Sequence, residues 1–88
     1  MIINGKEEHL KLEYPCDWEY RVMCLCNKDI EEIVVDVVKD RSFTQKKGNI
    51  SKTGKYQSYS ITLLVHNDDD RVGLFHLFKQ HKDVAMIL

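Results

Sequence analysis

Two short stretches of this chain carry residue types that could do chemistry. In "VMCLC", Met23 precedes Cys24 and Cys26. Paired thiolates hold soft ions such as Cu(I), and residues two apart on an extended strand point the same way. The spacing is Cys-x-Cys, however, not the Cys-x-x-Cys of soft-metal loops. Cys24 also falls on the face of its segment expected to be buried, where a free thiol acts as a small hydrophobe. Cys16 could join only if the chain before the strand folded back. The thiols therefore read as structural, with soft-metal handling by Cys24 and Cys26 as a further alternative. Neither a metal nor a cofactor is expected.

"GNISKTGKY", residues 48–56, has the look of a phosphate loop. Such a loop needs four residues between its glycines, then Lys and a hydroxyl residue, then a helix. Here five residues separate Gly48 from Gly54, Tyr56 follows Lys55, and the next segment has strand character. A hairpin fits better, with Gly54 supplying a positive φ. Among the histidines, His76 and His81 are five residues apart, roughly 140° around a helix, and show no metalloprotease spacing. No nucleophile sits beside a base, and the acids at Asp68, Asp69 and Asp70 suit a helix N-terminus. The chain is not read as an enzyme.

Bulk properties narrow the classes further. Eighty-eight residues, 43% hydrophobic and 31% charged, make one domain, 1–88, with a single core. Residues 1–13 are expected as a loosely ordered N-terminal segment. "MIINGKEEHLKLEY" lacks the basic start and apolar run of a secretory signal. Three cysteines, an odd number, make a poor disulfide framework. A cytoplasmic, non-membrane setting follows as an expectation. A net charge of −1 exerts no bulk pull on nucleic acid. The charge is uneven, though: Lys39, Arg41, Lys46, Lys47, Lys52 and Lys55 cluster with one acid, Asp40. Weak nucleic-acid or anion binding through Lys39–Lys55 is the alternative this cluster offers, with salt-sensitive affinity.

The elements that must position these residues show in the hydrophobic period. "WEYRVMCLC" alternates, with Trp18, Tyr20, Val22 and Cys24 on one side. "NKDIEEIVVDVVKDR" places Ile30, Ile33, Val34, Val37 and Val38 on one helical stripe, capped by Asn27. "FTQKKGNIS" reads as a lysine-protected edge strand. "YQSYSITLLVH" alternates again, Tyr59, Ile61, Leu63 and Val65 inward and Ser58, Ser60 and Thr62 outward. "NDDDRVGLFHLFKQHK" is a second helix started by Asn67, its buried stripe running from Arg71's aliphatic stem or Val72 to Leu74, Phe75 and Phe78. "DVAMIL" closes as a strand with Val84, Met86 and Leu88 facing in. The order β-α-β-β-α-β predicts an α+β, ferredoxin-like sandwich: a four-stranded antiparallel sheet with two helices on one face. The bare face then displays Glu19, Arg21, Met23, Ser58, Ser60 and Thr62. Its lack of aromatics argues against stacking of single-stranded RNA. Arg21, Lys46, Lys47, Ser58 and Ser60 are the expected ligand or partner contacts.

The chain as a whole resembles the YbeD-like family of small bacterial proteins. The likeness runs from about Tyr14 to Leu88 through "YPCDWEYRVMC", "IEEIVVDVV", "SKTGKYQSYSITL" and "VAMIL". Its anchors are Tyr14-Pro15, Tyr20-Arg21-Val22-Met23, Gly54-Lys55-Tyr56, Ser58 and Ser60-Ile61-Thr62. The resemblance implies a ferredoxin-like fold similar to ligand-sensing regulatory domains of the ACT type, in a bacterial cytoplasm. It supplies no catalytic residues. Cys24 stands where relatives tend to have a small residue such as glycine, so a Cys-x-Cys site would be a local elaboration. The leading expectation is a non-enzymatic regulatory or protein-interaction module, with a protein or small anionic metabolite as partner and a homodimer as one possible form.

Overall fold

The computed structural model describes residues 12–88. The loosely ordered segment expected over residues 1–13 falls, up to residue 11, outside the described residues; Leu12 and Glu13 belong to no helix or strand. Six elements follow in the expected order: β1 (Cys16–Leu25), α1 (Ile30–Val38), β2 (Thr44–Ile50), β3 (Tyr56–Val65), α2 (Asp68–Gln80) and β4 (Val84–Ile87). One antiparallel sheet has the order β2-β3-β1-β4, so β1 and β3 are central. This is the ferredoxin-like α+β arrangement.

Alternation in the two central strands builds the core. Tyr20, Val22 and Cys24 of β1 and Ile61, Leu63 and Val65 of β3 are buried, and they join Ile33, Val34, Val38, Leu74 and Phe78 in one cluster. Both helices thus cover the same face. Trp18 is opposite Leu63, Tyr20 opposite Ile61 and Val22 opposite Tyr59, so the inward residues of the two strands meet in rows. A valine-rich helix of nine residues is marginal alone, and the five residues α1 buries supply what propensity does not.

The helix ends differ in one place from the sequence expectation. Asn67 caps α2 as expected, its side chain accepting the Asp70 N–H at 2.7 Å. The cap of α1 is Asp29, not Asn27: its carboxylate accepts the Glu31 N–H at 3.0 Å. Asn27 lies in the turn after β1, too far back to reach the first helical amides. At the other end of α1, Lys39 holds φ at 63° while its N–H bonds Val35 C=O. An L-residue in the left-handed region is strained. Lys39→Gly should therefore stabilise the fold by about 1 kcal/mol, read as a rise in the chemical-denaturation midpoint with an unchanged slope.

β4 departs most from expectation. Val84 is opposite Cys24 and Ile87 opposite Val22, so four residues of β4 span three of β1, and the register shifts between Met23 and Cys24. A bulge of this kind reverses the inward parity of everything beyond it. Ile87 is consequently the buried residue of β4, while Met86 and Leu88, expected to face in, are 53% and 72% exposed. Met86 lies opposite Met23, and Leu88 exchanges backbone hydrogen bonds with Arg21, on the bare side of the sheet.

Candidate functional site

Away from the helices, the sheet shows Glu19, Arg21 and Met23 from β1, and Ser58, Ser60 and Thr62 from β3. The register orders them. Arg21 is opposite Ser60, and Ser60 is opposite Lys46 of β2, so the three form one row across three strands. Neighbouring Cβ atoms in such a row are about 5 Å apart, which places the two cations on opposite sides of one hydroxyl, about 10 Å between their Cβ atoms. Among the described residues, neither Arg21 nor Lys46 has a carboxylate within ion-pair distance. The next row pairs Glu19 with Thr62 and Thr62 with Thr44, and the row on the other side carries Met23 and Ser58. Beyond Met23, the exposed Met86 and Leu88 form an apolar border.

The expected contact residues are therefore separated by the structure into two groups. Arg21, Lys46 and Ser60 come together. Lys47, opposite Tyr59, takes the alternate direction and projects on the helix side of β2. Ser58 is on the bare face, but its hydroxyl is already used. It accepts the Asn49 N–H at 3.0 Å and donates to Asn49 C=O at 3.1 Å, closing an irregularity between Lys47 and Ile50. Gly48 permits this approach, since a Cβ there would meet Ser58 Oγ at 2.6 Å. Gln57, a residue that alternation alone would make apolar, is 3% exposed and seals the same irregularity from behind. Its amide Nε2 donates to Gly48 C=O at 2.8 Å and to Ser58 C=O at 3.0 Å. Gly54 has φ 75° at the hairpin tip, so the 48–56 stretch is a hairpin and not a phosphate cradle.

The basic run from Lys39 to Lys55 does not form one patch. Arg41 turns inward and binds Asp70 through two bonds, at 2.9 and 2.8 Å, with a third to Leu64 C=O at 2.7 Å. The Arg41 guanidinium and the His66 N–H pull the Asp70 carboxyl down to about 2. Asp68 is likewise engaged, with Tyr14 and Arg71, so two acids of the triplet hold other elements to the first turn of α2. A surface hollow of about 430 Å³ on the outer side of α1 is lined by Asp29, Glu31, Glu32, Val35 and Asp36. Its carboxylates lie on the face of the molecule away from the sheet's cations, with Asp29 engaged as the α1 cap and Asp36 bonded to His81.

The thiols occupy three environments. β1 ends at Leu25, so Cys26 lies in the turn beyond it, exposed, its thiol donating to Gly54 C=O at 3.3 Å. Cys24 is fully buried, and burial pushes its thiol up. The same-side geometry expected for two strand residues does not extend to Cys26. Among the described residues, no group of three or more His, Cys, Asp or Glu is placed to hold a metal.

Fold and surface together define a small α+β sandwich with a bare sheet face, carrying a cationic row bordered by methionine and leucine. Residues 9–88 match the family described as "Protein of unknown function (DUF493)", and the chain belongs to that family. It is 32% identical to the uncharacterised protein Cj0253 of Campylobacter jejuni, across 78% of this chain and 79% of that one. It is 27% identical to the UPF0250 protein of Hahella chejuensis, across 97% and 98%. The solution structure of protein HP0495 from H. pylori superposes with a TM-score of 0.77 at 24% identity, covering 100% of this chain and 97% of that one. That likeness is one of fold. No helix among the described residues is long and apolar enough to cross a membrane.

Proposed function

We propose that this protein is a non-enzymatic regulatory or interaction module of the bacterial cytoplasm, similar to YbeD-like proteins and ACT-type sensing domains. Its bare sheet face takes an anionic group, from a small metabolite or a partner protein. One observation carries the reading: Arg21 and Lys46 flank Ser60 in a single row without an intramolecular carboxylate among the described residues. Pairing of the central and edge strands fixes the backbone beneath both cations, so binding has only their side chains to order. Arginine offers a fork matched to carboxylate or phosphate, lysine a point charge, and serine a donor or acceptor between them.

The test is a thermal-shift series with amino acids, dicarboxylates and inorganic phosphate. A ligand at a hundred times its Kd adds about 2.7 kcal/mol, a rise of roughly 10 °C or more for a domain this small. Arg21→Ala and Lys46→Ala should each abolish most of that rise while leaving the unliganded midpoint within about 2 °C, since exposed substitutions change stability little. An unshifted midpoint across the whole series, or a shift that survives both substitutions, would remove the anion reading.

A further inference from the structure

Among the described residues, β4 pairs with only part of the strand beside it. It pairs with β1 at Val22, Met23 and Cys24, and the ladder is extended by one exchange: Arg21 N–H donates to Leu88 C=O at 3.0 Å, and Leu88 N–H to Arg21 C=O at 2.8 Å. That exchange shows that the amide and carbonyl of Arg21 point toward the β4 side. Backbone direction repeats every second residue of a strand, so Glu19 and Asp17 direct their N–H and C=O groups the same way. No strand among the described residues lies there. Among the described residues, the Cys16–Tyr20 edge of this central strand is unpaired on that side.

α2 walls this edge on the helix side. Val72, 41% exposed, and the half-buried Phe75 stand above it, with Leu88 at its end. The Arg71 guanidinium lies 4.8 Å over the Trp18 ring. Tyr20 anchors the wall by donating its hydroxyl to Arg71 C=O at 2.6 Å. With Trp18 and Tyr20 these residues line a cleft of about 290 Å³. Arg71 is already engaged by Asp68 and the Tyr14 hydroxyl, so the cleft is chiefly apolar and aromatic. On the bare side of the same edge stand Asp17 and Glu19, both exposed and neither with a cation among the described residues. Arg21 lies one row further on, beside Leu88.

We propose that the Cys16–Tyr20 edge, walled by α2, takes an extended segment of a partner protein in which apolar and basic side chains alternate. The segment adds as a strand, its main chain bonding to Asp17 and Glu19. Its apolar side chains fill the Trp18–Phe75–Val72 cleft, and its basic ones lie beside the two carboxylates. Charge selects this occupant over a second copy. Two copies of the edge paired antiparallel would set Asp17 and Glu19 directly against the same carboxylates of the other chain, an unfavourable cross-strand pairing. This extends the interaction-module reading to a second surface, and it uses neither Lys46 nor Ser60, so it stands or falls apart from the anion site.

The chain's one tryptophan, Trp18, reports on the cleft. A capped peptide of about seven residues alternating Lys and Val, titrated into the full chain, should shift Trp18 emission saturably and slow amide exchange at Asp17 and Glu19. The same peptide with N-methyl groups on the residues facing the edge should bind at least ~10-fold more weakly, because each methyl removes a ladder bond. An Asp17→Lys/Glu19→Lys variant, altered only at exposed positions, should prefer a Glu/Val peptide over the Lys/Val one. Equal binding of the methylated peptide, an unaltered preference in the variant, or no binding of any peptide would overturn the proposal. Protection of the Asp17 and Glu19 amides that grows with protein concentration, without peptide, would assign the edge to a second copy and overturn it too.

Discussion

Phe78→Ala is expected to lower folding stability by about 3–5 kcal/mol, most of what a domain of this size possesses. Phe78 is fully buried, and its ring lies 5.4 Å from that of Tyr20 at 45°. Leu74 and Phe78 are the two buried residues of α2, with Phe75 packed half-buried beside them. That helix is weakly amphipathic by sequence, with Val72, Gly73, His76 and Leu77 all turned outward, so few side chains seat its thirteen residues on the sheet, Leu74 and Phe78 most deeply. Removing one leaves a cavity beneath α2 that Tyr20 cannot close without giving up its bond to Arg71. Thermal unfolding followed by circular dichroism should show the midpoint falling by at least about 12 °C. Phe75→Ala, at a half-buried position, should cost less than half as much. A drop under about 5 °C for Phe78→Ala would mean that α2 is seated elsewhere.

Arg41→Ala should cost roughly 2 kcal/mol, in keeping with hydrogen bonds to charged groups. The side chain ties the segment after α1 to the first turn of α2 and to the end of β3, through Asp70 and Leu64. These ties also give acid sensitivity a definite window. The Asp70 carboxyl lies at about 2 in the fold against 3.8 free, so the folded state favours its ionised form. The contribution is complete above pH 4 and is lost as pH falls through about 2. Its size is on the order of 1–2 kcal/mol once the 20% exposure of the Asp70 side chain is allowed for. Urea titrations at pH 6, 4 and 2 should show the wild-type midpoint dropping most in the last interval, and Asp70→Asn removing that part of the dependence. An Asp70→Asn profile parallel to wild type would show that the pair is not the acid-sensitive element.

Much of the architecture is readable from the chain because the two periodicities are physically exclusive. Apolar residues at 30, 33, 34, 37 and 38 can share one surface only on a helix, and those at 59, 61, 63 and 65 only on a strand. Arg21 and Ser60 on the bare face follow from the same alternation. The cap of α1 was less legible, because Asn27 and Asp29 are both good capping residues. Which one serves depends on where β1 ends, and that is set by its pairing partner: Leu25 opposite Tyr56.

What the linear order determines by itself is the alternation within each element, and through it the helix-covered and bare faces of the sheet. What only the tertiary structure decides is everything that depends on register between elements. The bulge in β4 turns Met86 and Leu88 outward, and the pairing of β2 with β3 sets Lys46 beside Ser60 while sending Lys47 the other way. Arg41 and Asp70 meet across 29 residues of chain, and among the described residues β4 pairs with β1 only at Val22, Met23 and Cys24, not at Asp17 or Glu19. The physical reason is that periodicity is a local property of the backbone, whereas register is chosen by the sum of contacts between segments distant in sequence.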